Sequence, residues 1–169
     1  MTGPSEYSGT IPRLLARAAE RDPGGIWLRT DESTLTFGQA AARVAGLARA
    51  LREAGIRRGD LVLVTARSTP GYLLCWLALP TLGAVTVSVN PRSAPAEIAG
   101  MARQVAPRVM ISDAGLAPLA DAAVRERPGL VLLDCDELAA RAPAGNAAEL
   151  AGTGVGPDDL AVLLSLIHI

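Results

Sequence analysis

The amino-acid sequence predicts one α/β domain in which helices cover a parallel sheet, and three observations point to this fold class. The chain has 169 residues, of which 50% are hydrophobic, enough for one sizeable core. Strand-like and helix-like segments alternate over residues 61–133, as in doubly wound folds. Residues 59–97 have the pattern of strand, helix and strand, which predicts a βαβ unit with parallel strands.

The N-terminal part is predicted to form a helix followed by a hairpin. Thr10 is the expected N-cap of an amphipathic helix that the turn at residues 22–25 ends. Two short strands at residues 26–29 and 33–36 flank a turn and predict the hairpin. The buried face of the helix is expected to consist of Ile11, Leu14, Leu15, Ala18 and Ala19.

A longer helix follows, with Thr36 as its predicted N-cap and Gly55 just beyond its end. Arg57, Arg58 and Asp60 then form a turn that we expect to be solvated. The apolar residues of this helix recur at helical spacing on one face, and they are Phe37, Ala40, Ala41, Val44, Leu47, Ala48 and Leu51.

The βαβ unit begins with the apolar run at residues 61–64, which predicts a buried strand. Ser68 or Thr69 is the expected cap of the crossover helix, and Pro70 lies in its first turn. Gly83 ends that helix, and residues 84–89 predict the second strand. No charged residue occurs over residues 68–91, but Pro80 and Gly83 interrupt the segment, so a buried helix and strand are favoured over a membrane span.

The remaining chain continues the alternation of helices and strands. A helix beginning near Pro95 is expected to have Glu97 in its first turn and to end before Pro107. Residues 143–157, rich in Ala and Gly, predict a surface linker. The other predicted elements are strands at residues 109–111, 130–133 and 160–163 and a helix at residues 116–127.

Composition excludes several classes of function. The formal net charge is −1 and the pI about 5.8, so no nucleic-acid partner is expected. All 16 basic residues are Arg, which excludes a lysine-containing phosphate loop and Schiff-base chemistry. Cys75 lies within an apolar segment and Cys135 comes shortly after one, so both are predicted to be buried free thiols. The polar N-terminus shows no secretory signal, so a cytoplasmic location is expected.

No residue pattern predicts a catalytic or metal site. Asp134, Asp136 and Glu137 follow a strand and could hold a metal, but a helix cap and first turn are favoured. The segment GTGVGP at residues 152–157 precedes a strand, whereas a dinucleotide loop follows one, so a linker is favoured. The single histidine, His168, lies in the last six residues.

Those last residues differ in composition from the rest of the chain. Residues 164–169 read LSLIHI, and one back-translation of them spells the mosaic end used in transposase-based sequencing libraries. We therefore expect residues 1–163 to be native sequence and residues 164–169 to be adapter read-through. A native continuation of the preceding strand is the alternative.

Several segments resemble the adenylate-forming acyl-CoA synthetase and ligase family, the AMP-binding enzymes. The segment TIPRLLARAAERDP is similar to the first helix of the family, and PDDLAVLL to the strand that enters its phosphate loop. The segment from Thr36 to Val62 is similar to a family pattern that it matches at Thr36, Phe37, Leu51, Gly55, Gly59, Asp60 and Val62. A second pattern is matched at Leu77, Ala78, Gly83, Ala84, Val85, Val89, Asn90, Pro91, Glu97 and Ile98. Ser88, where the family usually has Pro, and Pro80, within the crossover helix, depart from it.

The resemblance implies a parallel sheet with a mixed edge and flanking helices, the first part of a large N-terminal domain. It implies activation of a small carboxylic acid with ATP and Mg²⁺ to an acyl-adenylate, followed by transfer to CoA. The alternatives are an adenylation domain that loads a carrier-protein thiol and a non-enzymatic α/β binding module.

The resemblance places the family's phosphate loop and later motifs beyond this chain. The chain is therefore expected to be an inactive N-terminal fragment that binds none of ATP, Mg²⁺ and CoA, with no catalytic or metal-binding residue. Asn90 and Arg92, just past a strand's carboxyl end, are candidate pocket-edge residues, although a turn role is favoured.

Overall fold

The computed structural model describes residues 9–164. A five-stranded parallel sheet lies at the centre, helices cover both of its faces, and a two-stranded hairpin forms a separate sheet. The α-helices span Ile11–Arg21 (α1), Phe37–Glu53 (α2), Pro70–Thr81 (α3), Pro95–Val105 (α4), Ala117–Glu126 (α5) and Cys135–Arg141 (α6). The strands span Ile26–Arg29 (β1), Thr34–Thr36 (β2), Leu61–Thr65 (β3), Val85–Ser88 (β4), Val109–Ser112 (β5), Val131–Asp134 (β6) and Val162–Leu164 (β7). Two 3₁₀ turns span Ala114–Leu116 and Ala147–Leu150.

The strand order in the large sheet is β6-β5-β3-β4-β7, and all four pairings are parallel. From β3 the chain places β4 on one side, then β5 and β6 on the other side, and returns to the first side with β7. This order of parallel strands confirms the predicted α/β fold class. Antiparallel pairing among the described strands is confined to β1 and β2, so the five-stranded sheet has no antiparallel edge.

Each face of the sheet has its own hydrophobic core because side chains alternate along every strand. Val62 and Val64 face the core formed with α1, α2, α3 and α6, whereas Leu63 faces the core formed with α4 and α5. Ala40 and Ala41 of α2 are fully buried. Small side chains of this kind let helices approach closely, and aromatic residues make up only 3% of the chain.

The predicted helix α2 is confirmed together with its cap. The Thr36 hydroxyl accepts from the backbone N–H of Gln39, and the Gln39 side chain accepts from the backbone N–H of Thr36. This reciprocal pair satisfies donors that the first turn leaves open. Gly55, just past the end, has φ of +98°, a conformation that glycine adopts without a Cβ clash.

The uncharged stretch at residues 68–91 forms the buried crossover α3 and strand β4, as predicted. Of the two candidate caps, Thr69 has the role, since its hydroxyl accepts from the N–H of Tyr72 at 3.1 Å. Gly83 follows α3 with φ of +69°. Within residues 9–164, no helix has both the length and the apolar character that crossing a bilayer requires.

Helix α1 differs from the prediction in its cap and in its buried face. Thr10 is at the N-cap position, but its side chain makes no capping hydrogen bond. Leu14, predicted to be buried, is 39% exposed. The buried residues are Pro12, Leu15, Ala16 and Ala19. The buried face is therefore shifted from the predicted one toward Ala16. Sequence periodicity shows how wide an apolar stripe is, but it does not show which side of the stripe meets the neighbouring elements.

The prediction of a surface linker at residues 143–157 is wrong in part, because the segment packs on α2. The N–H of Gly145 donates to the carbonyl of Ala42 at 2.7 Å. Leu150 is fully buried and Val155 is 7% exposed. The high Gly and Ala content of this segment predicts a surface linker. These small residues instead let the backbone of the segment lie directly against α2.

The turn after α2 is also more than a solvated corner. The guanidinium of Arg58 donates to both carboxylate oxygens of Asp159, at 2.7 and 2.6 Å, and to the carbonyl of Gly154 at 3.0 Å. Arg58 therefore fastens the segment before β7 to the turn before β3. Of the predicted non-native tail, Leu164 is the last residue of β7, and residues 165–169, including His168, lie outside the described part of the chain.

Candidate functional site

Because the five strands are parallel, all their carboxyl ends lie at one edge of the sheet, where open α/β sheets bind ligands. Within the described residues, polar side chains lie at the carboxyl ends of β3, β4, β5 and β6. They are Arg67 and Thr69 after β3, Asn90 and Arg92 after β4, Asp113 after β5, Asp134 as the last residue of β6, and Asp136 after β6.

Arg67 and Asp113 form the best-defined pair at this edge. The guanidinium of Arg67 donates to Asp113 Oδ1 from Nη2 at 2.8 Å and from Nε at 3.1 Å. The backbone N–H of Arg67 donates to Asp113 Oδ2 at 2.7 Å, and that of Gly115 donates to Oδ1 at 2.8 Å. The side chain of Asp113 is 1% exposed, whereas that of Arg67 is 64% exposed.

The electrostatics of Asp113 follow from these contacts. Burial by itself raises the pKa of Asp113, but the hydrogen bonds from the Arg67 side chain, the Arg67 backbone and the Gly115 backbone outweigh burial and lower that pKa below 3.8. Asp113 is therefore an ionised, fully bonded carboxylate. It holds the two loops in place, and its oxygens are occupied, so it is poorly suited to accept a proton or bind an ion.

The acidic residues after β6 form the helix cap that the sequence predicts. Asp134 Oδ1 accepts from the backbone N–H groups of Asp136 and Glu137, at 2.9 and 2.8 Å, and begins α6. Asp136 Oδ1 accepts from the hydroxyl of Thr69 at 2.8 Å, which joins this loop to the start of α3. Ligand atoms of Asp134, Cys135 and Asp136 lie within 4.8 Å of one another, but one oxygen of each carboxylate is already engaged in a capping or loop hydrogen bond.

Asn90 and Arg92 form a turn at the carboxyl end of β4. The side-chain oxygen of Asn90 accepts from the N–H of Arg92 at 2.9 Å, and its backbone carbonyl accepts from the N–H of Ser93 at 2.9 Å. Both side chains are exposed. The favoured turn role of Asn90 is thus confirmed, and a contact of either residue with a substrate stays a prediction.

The two cysteines lie behind this edge and are buried, as predicted. Burial raises the pKa of Cys75 far above that of a free thiol, and burial raises the pKa of Cys135 to about 11. Cys75 Sγ lies 3.7 Å from the backbone carbonyl of Cys135. Both thiols are structural groups and not nucleophiles.

The Arg67–Asp113 pair was not predicted from the sequence, although a signal for it exists. Arg67 lies three positions past the predicted strand at residues 61–64, and Asp113 lies two positions past the one at residues 109–111. Such positions converge when the strands are parallel neighbours. The Gly-rich segment at residues 152–157 contributes no phosphate cradle. It precedes β7, with Val155 buried and the N–H of Gly156 donating to Asp159 at 2.7 Å.

The chain matches the family model described as AMP-binding enzyme over residues 15–164. Among curated proteins, "Protein Y" of Streptomyces griseus is 33% identical over 121 residues, covering 69% of this chain and 39% of that protein. The 4-chlorobenzoate–CoA ligase of an Arthrobacter species is 34% identical over 97 residues, covering 56% of this chain and 19% of the ligase. The chain thus spans 39% or less of the length of these relatives.

Solved structures show the same architecture. The crystal structure of VinN superposes with a TM-score of 0.78 at 21% identity, covering 96% of this chain and 43% of VinN. This likeness concerns the fold alone. NpsA–ThdA of Klebsiella oxytoca, an artificially fused adenylation and carrier-protein pair, gives a TM-score of 0.71 at 25% identity, covering 90% of this chain and 27% of the fusion.

Proposed function

The chain belongs to the AMP-binding enzyme family, and on that premise we propose that it serves in the ATP-dependent activation of a small carboxylic acid. The observation that carries the proposal is the family match, which runs through the whole sheet and its carboxyl edge, residues 15–164. A relative that acts as a CoA ligase of an aromatic acid supports it.

The chemistry explains why such an activation needs two steps. A carboxylate is a poor acyl donor because its leaving group would be oxide or hydroxide. Attack of the carboxylate oxygen on the α-phosphate of ATP gives an acyl-adenylate and pyrophosphate, and AMP is then a good leaving group when a thiol attacks the acyl carbon. We propose CoA as that thiol, and cytoplasm, where ATP and CoA are abundant, as the location.

The described residues do not by themselves fit ATP or Mg²⁺. The chain has no Lys, the exposed guanidinium of Arg67 is already bound by Asp113, and Asp134 and Asp136 are engaged in capping and loop contacts. We derive no catalytic step from these residues. Their role is to hold the carboxyl edge of the sheet rigid, and nucleotide-binding groups would come from sequence outside this chain.

An ATP–pyrophosphate exchange assay tests the proposal. The 169-residue chain should show no exchange, whereas a longer product of the same locus that includes a phosphate loop should exchange with one or more acids in a panel of benzoates, cinnamates and short aliphatic acids. Exchange by the 169-residue chain alone would contradict the statement that its residues do not bind ATP by themselves. If the longer product showed no exchange with any acid in the panel, the proposed function would be contradicted.

A second acceptor is supported by the likeness to NpsA–ThdA. An adenylation enzyme would pass the acyl group to the thiol of a carrier protein in place of CoA. Mass spectrometry distinguishes the two, since the longer product would form either a soluble acyl-CoA or an acylated carrier protein.

We further propose that Asn90 and Arg92 border the acid pocket in the active protein, because both are exposed at the carboxyl end of β4, next to β7. Arg92→Gln should then raise the KM for the acid and leave kcat nearly unchanged. Arg43→Gln, an exposed arginine on α2, is the matched control and should change neither. Equal effects of the two substitutions would contradict the pocket-edge role.

A further inference from the structure

Strand β6 ends the five-stranded sheet, and within the described part of the chain it pairs with β5 alone. The N–H of Val131 donates to the carbonyl of Arg108 at 2.9 Å, and Val131 lies opposite Val109. In a parallel ladder, alternate residues bond to the same neighbour. The backbone N–H and C=O groups of Val131 and Leu133 therefore point to β5, and those of Leu132 point to the outer edge.

The outer edge of β6 is apolar and has none of the devices that protect edge strands. Val131 and Leu132 are each 45% exposed, and they lie on opposite faces of the sheet because side chains alternate. Between Pro128 and Asp134 the chain has no charged residue and no further proline. Edge strands of natural proteins are usually interrupted by charge, proline or a bulge when they pair with nothing.

Charge at the two ends of β6 indicates which partner fits. Arg125 and Arg127 precede the strand and are exposed. Glu126 lies between them and is paired with Arg103, so this end keeps a net positive charge. Asp136 and Glu137 follow the strand and are exposed as well. Glu137 is paired with Arg141, and with Asp134 and Asp136 this end keeps a net negative charge. A second strand of the same sequence, laid antiparallel, brings its acidic end to this basic end and its basic end to this acidic end. A parallel strand would place like charges together.

We propose that a second copy of this chain pairs with β6 through its own β6, antiparallel and about a two-fold axis at Leu132, to form a continuous ten-stranded sheet, twice the five strands of one copy. Leu132 of each copy exchanges two hydrogen bonds with Leu132 of the other. The N–H of Asp134 donates to the carbonyl of Leu130 across the axis at each end. The N–H of Leu130 is already bonded to the carbonyl of Arg127 within its own turn, so the ladder has about four hydrogen bonds.

Sedimentation equilibrium of the 169-residue chain tests the proposal. The chain should be in a concentration-dependent monomer–dimer equilibrium. Leu132→Lys places two like charges directly opposite each other and should raise the dimer dissociation constant by at least about tenfold. Leu14→Lys adds the same charge at a comparable exposure on α1, 39% against 45%, and should leave the constant within about twofold of the unmodified chain. Equal dissociation constants for the two variants, or a monomer up to about 1 mM, would overturn the proposal.

A cysteine at the axis gives a second measurement that does not depend on destabilising the chain. Paired residues in a hydrogen-bonded antiparallel site have Cα atoms about 5.5 Å apart, within the range that a disulfide spans. Leu132→Cys should therefore form a covalent dimer on mild oxidation, and Leu14→Cys should not. The native Cys75 and Cys135 are buried and contribute no background. Cross-linking of Leu132→Cys no faster than that of Leu14→Cys would exclude this two-fold arrangement.

Discussion

Asp113 is bound by both the main chain and the side chain of Arg67, a residue 46 positions earlier in the chain. The contact joins the carboxyl ends of β3 and β5, which are neighbours in the sheet but not consecutive in sequence. Because the Asp113 carboxylate is buried, its charge is tolerated only where several donors surround it. The relative position of the loops after β3 and β5 therefore depends on this ionised group.

Asp113→Asn should destabilise the chain at pH 7 by about 2 kcal/mol, the value of hydrogen bonds to a buried charged group. Since the folded state lowers the pKa of Asp113 below its ordinary value of 3.8, the contribution of the carboxylate is complete above that value. It is lost as pH falls through the lowered folded pKa. Urea unfolding at pH 7 and near pH 3 should show a gap between the unmodified chain and the variant that narrows in acid.

Asp121→Asn on the exposed side of α5 is the control and should change stability little at either pH. A gap between the Asp113 variant and the unmodified chain that stays constant from pH 7 to pH 3 would mean that the carboxylate charge is not what stabilises this edge.

Gly46→Ala should destabilise the chain, although alanine favours a helix over glycine by about 1 kcal/mol. A Cβ at Gly46 would meet the backbone carbonyl oxygen of Pro143 at 1.8 Å, and backbone cannot move aside as a flexible side chain can. Thermal unfolding should give a net loss of about 1–3 kcal/mol. Gly100→Ala in α4 is the matched control, since its nearest neighbour would be an Arg103 nitrogen at 3.9 Å, and it should stabilise. Two variants of equal stability would show that residues 143–145 do not press on α2.

Neither cysteine should react with a thiol reagent in the folded chain at pH 8. Burial raises the pKa of Cys75, and burial raises the pKa of Cys135 to about 11, so thiolate is scarce and the sulfurs are inaccessible. Both should react promptly in urea. Reaction of either thiol with dithionitrobenzoate at the rate of a free cysteine, before unfolding, would contradict the buried placement.

Asp134→Ala should cost about 1 kcal/mol because it removes the N-cap of α6. Asp134→Asn keeps a capping oxygen and should recover most of the loss. If capping is the role of Asp134, added Mg²⁺ should leave the unfolding temperatures of the unmodified chain and of both variants unchanged. A rise with Mg²⁺ in the unmodified chain alone would instead support a metal site.

Part of the candidate site was predictable because its signals are local. The cap formed by Asp134 involves amide groups two and three residues away, and the turn at Asn90 involves an amide two residues away. Residue type and spacing are enough for such contacts. The pairing of Thr69 with Asp136, 67 residues apart, was not predicted because it requires knowing that α3 and α6 are neighbours.

The sequence by itself determined which segments are helices and strands, since apolar residues repeat at the period of each element and Thr36, Thr69 and Gly55 mark helix ends. The sequence motifs were also enough to identify the family, which the family match confirms. Only the tertiary structure decided the strand order, the Arg67–Asp113 contact, the rotation of α1 and the burial of Leu150 on α2. The period of the apolar residues shows how wide the apolar face of an element is. The elements that pack against that face come from segments far apart in sequence, so only the tertiary structure identifies them.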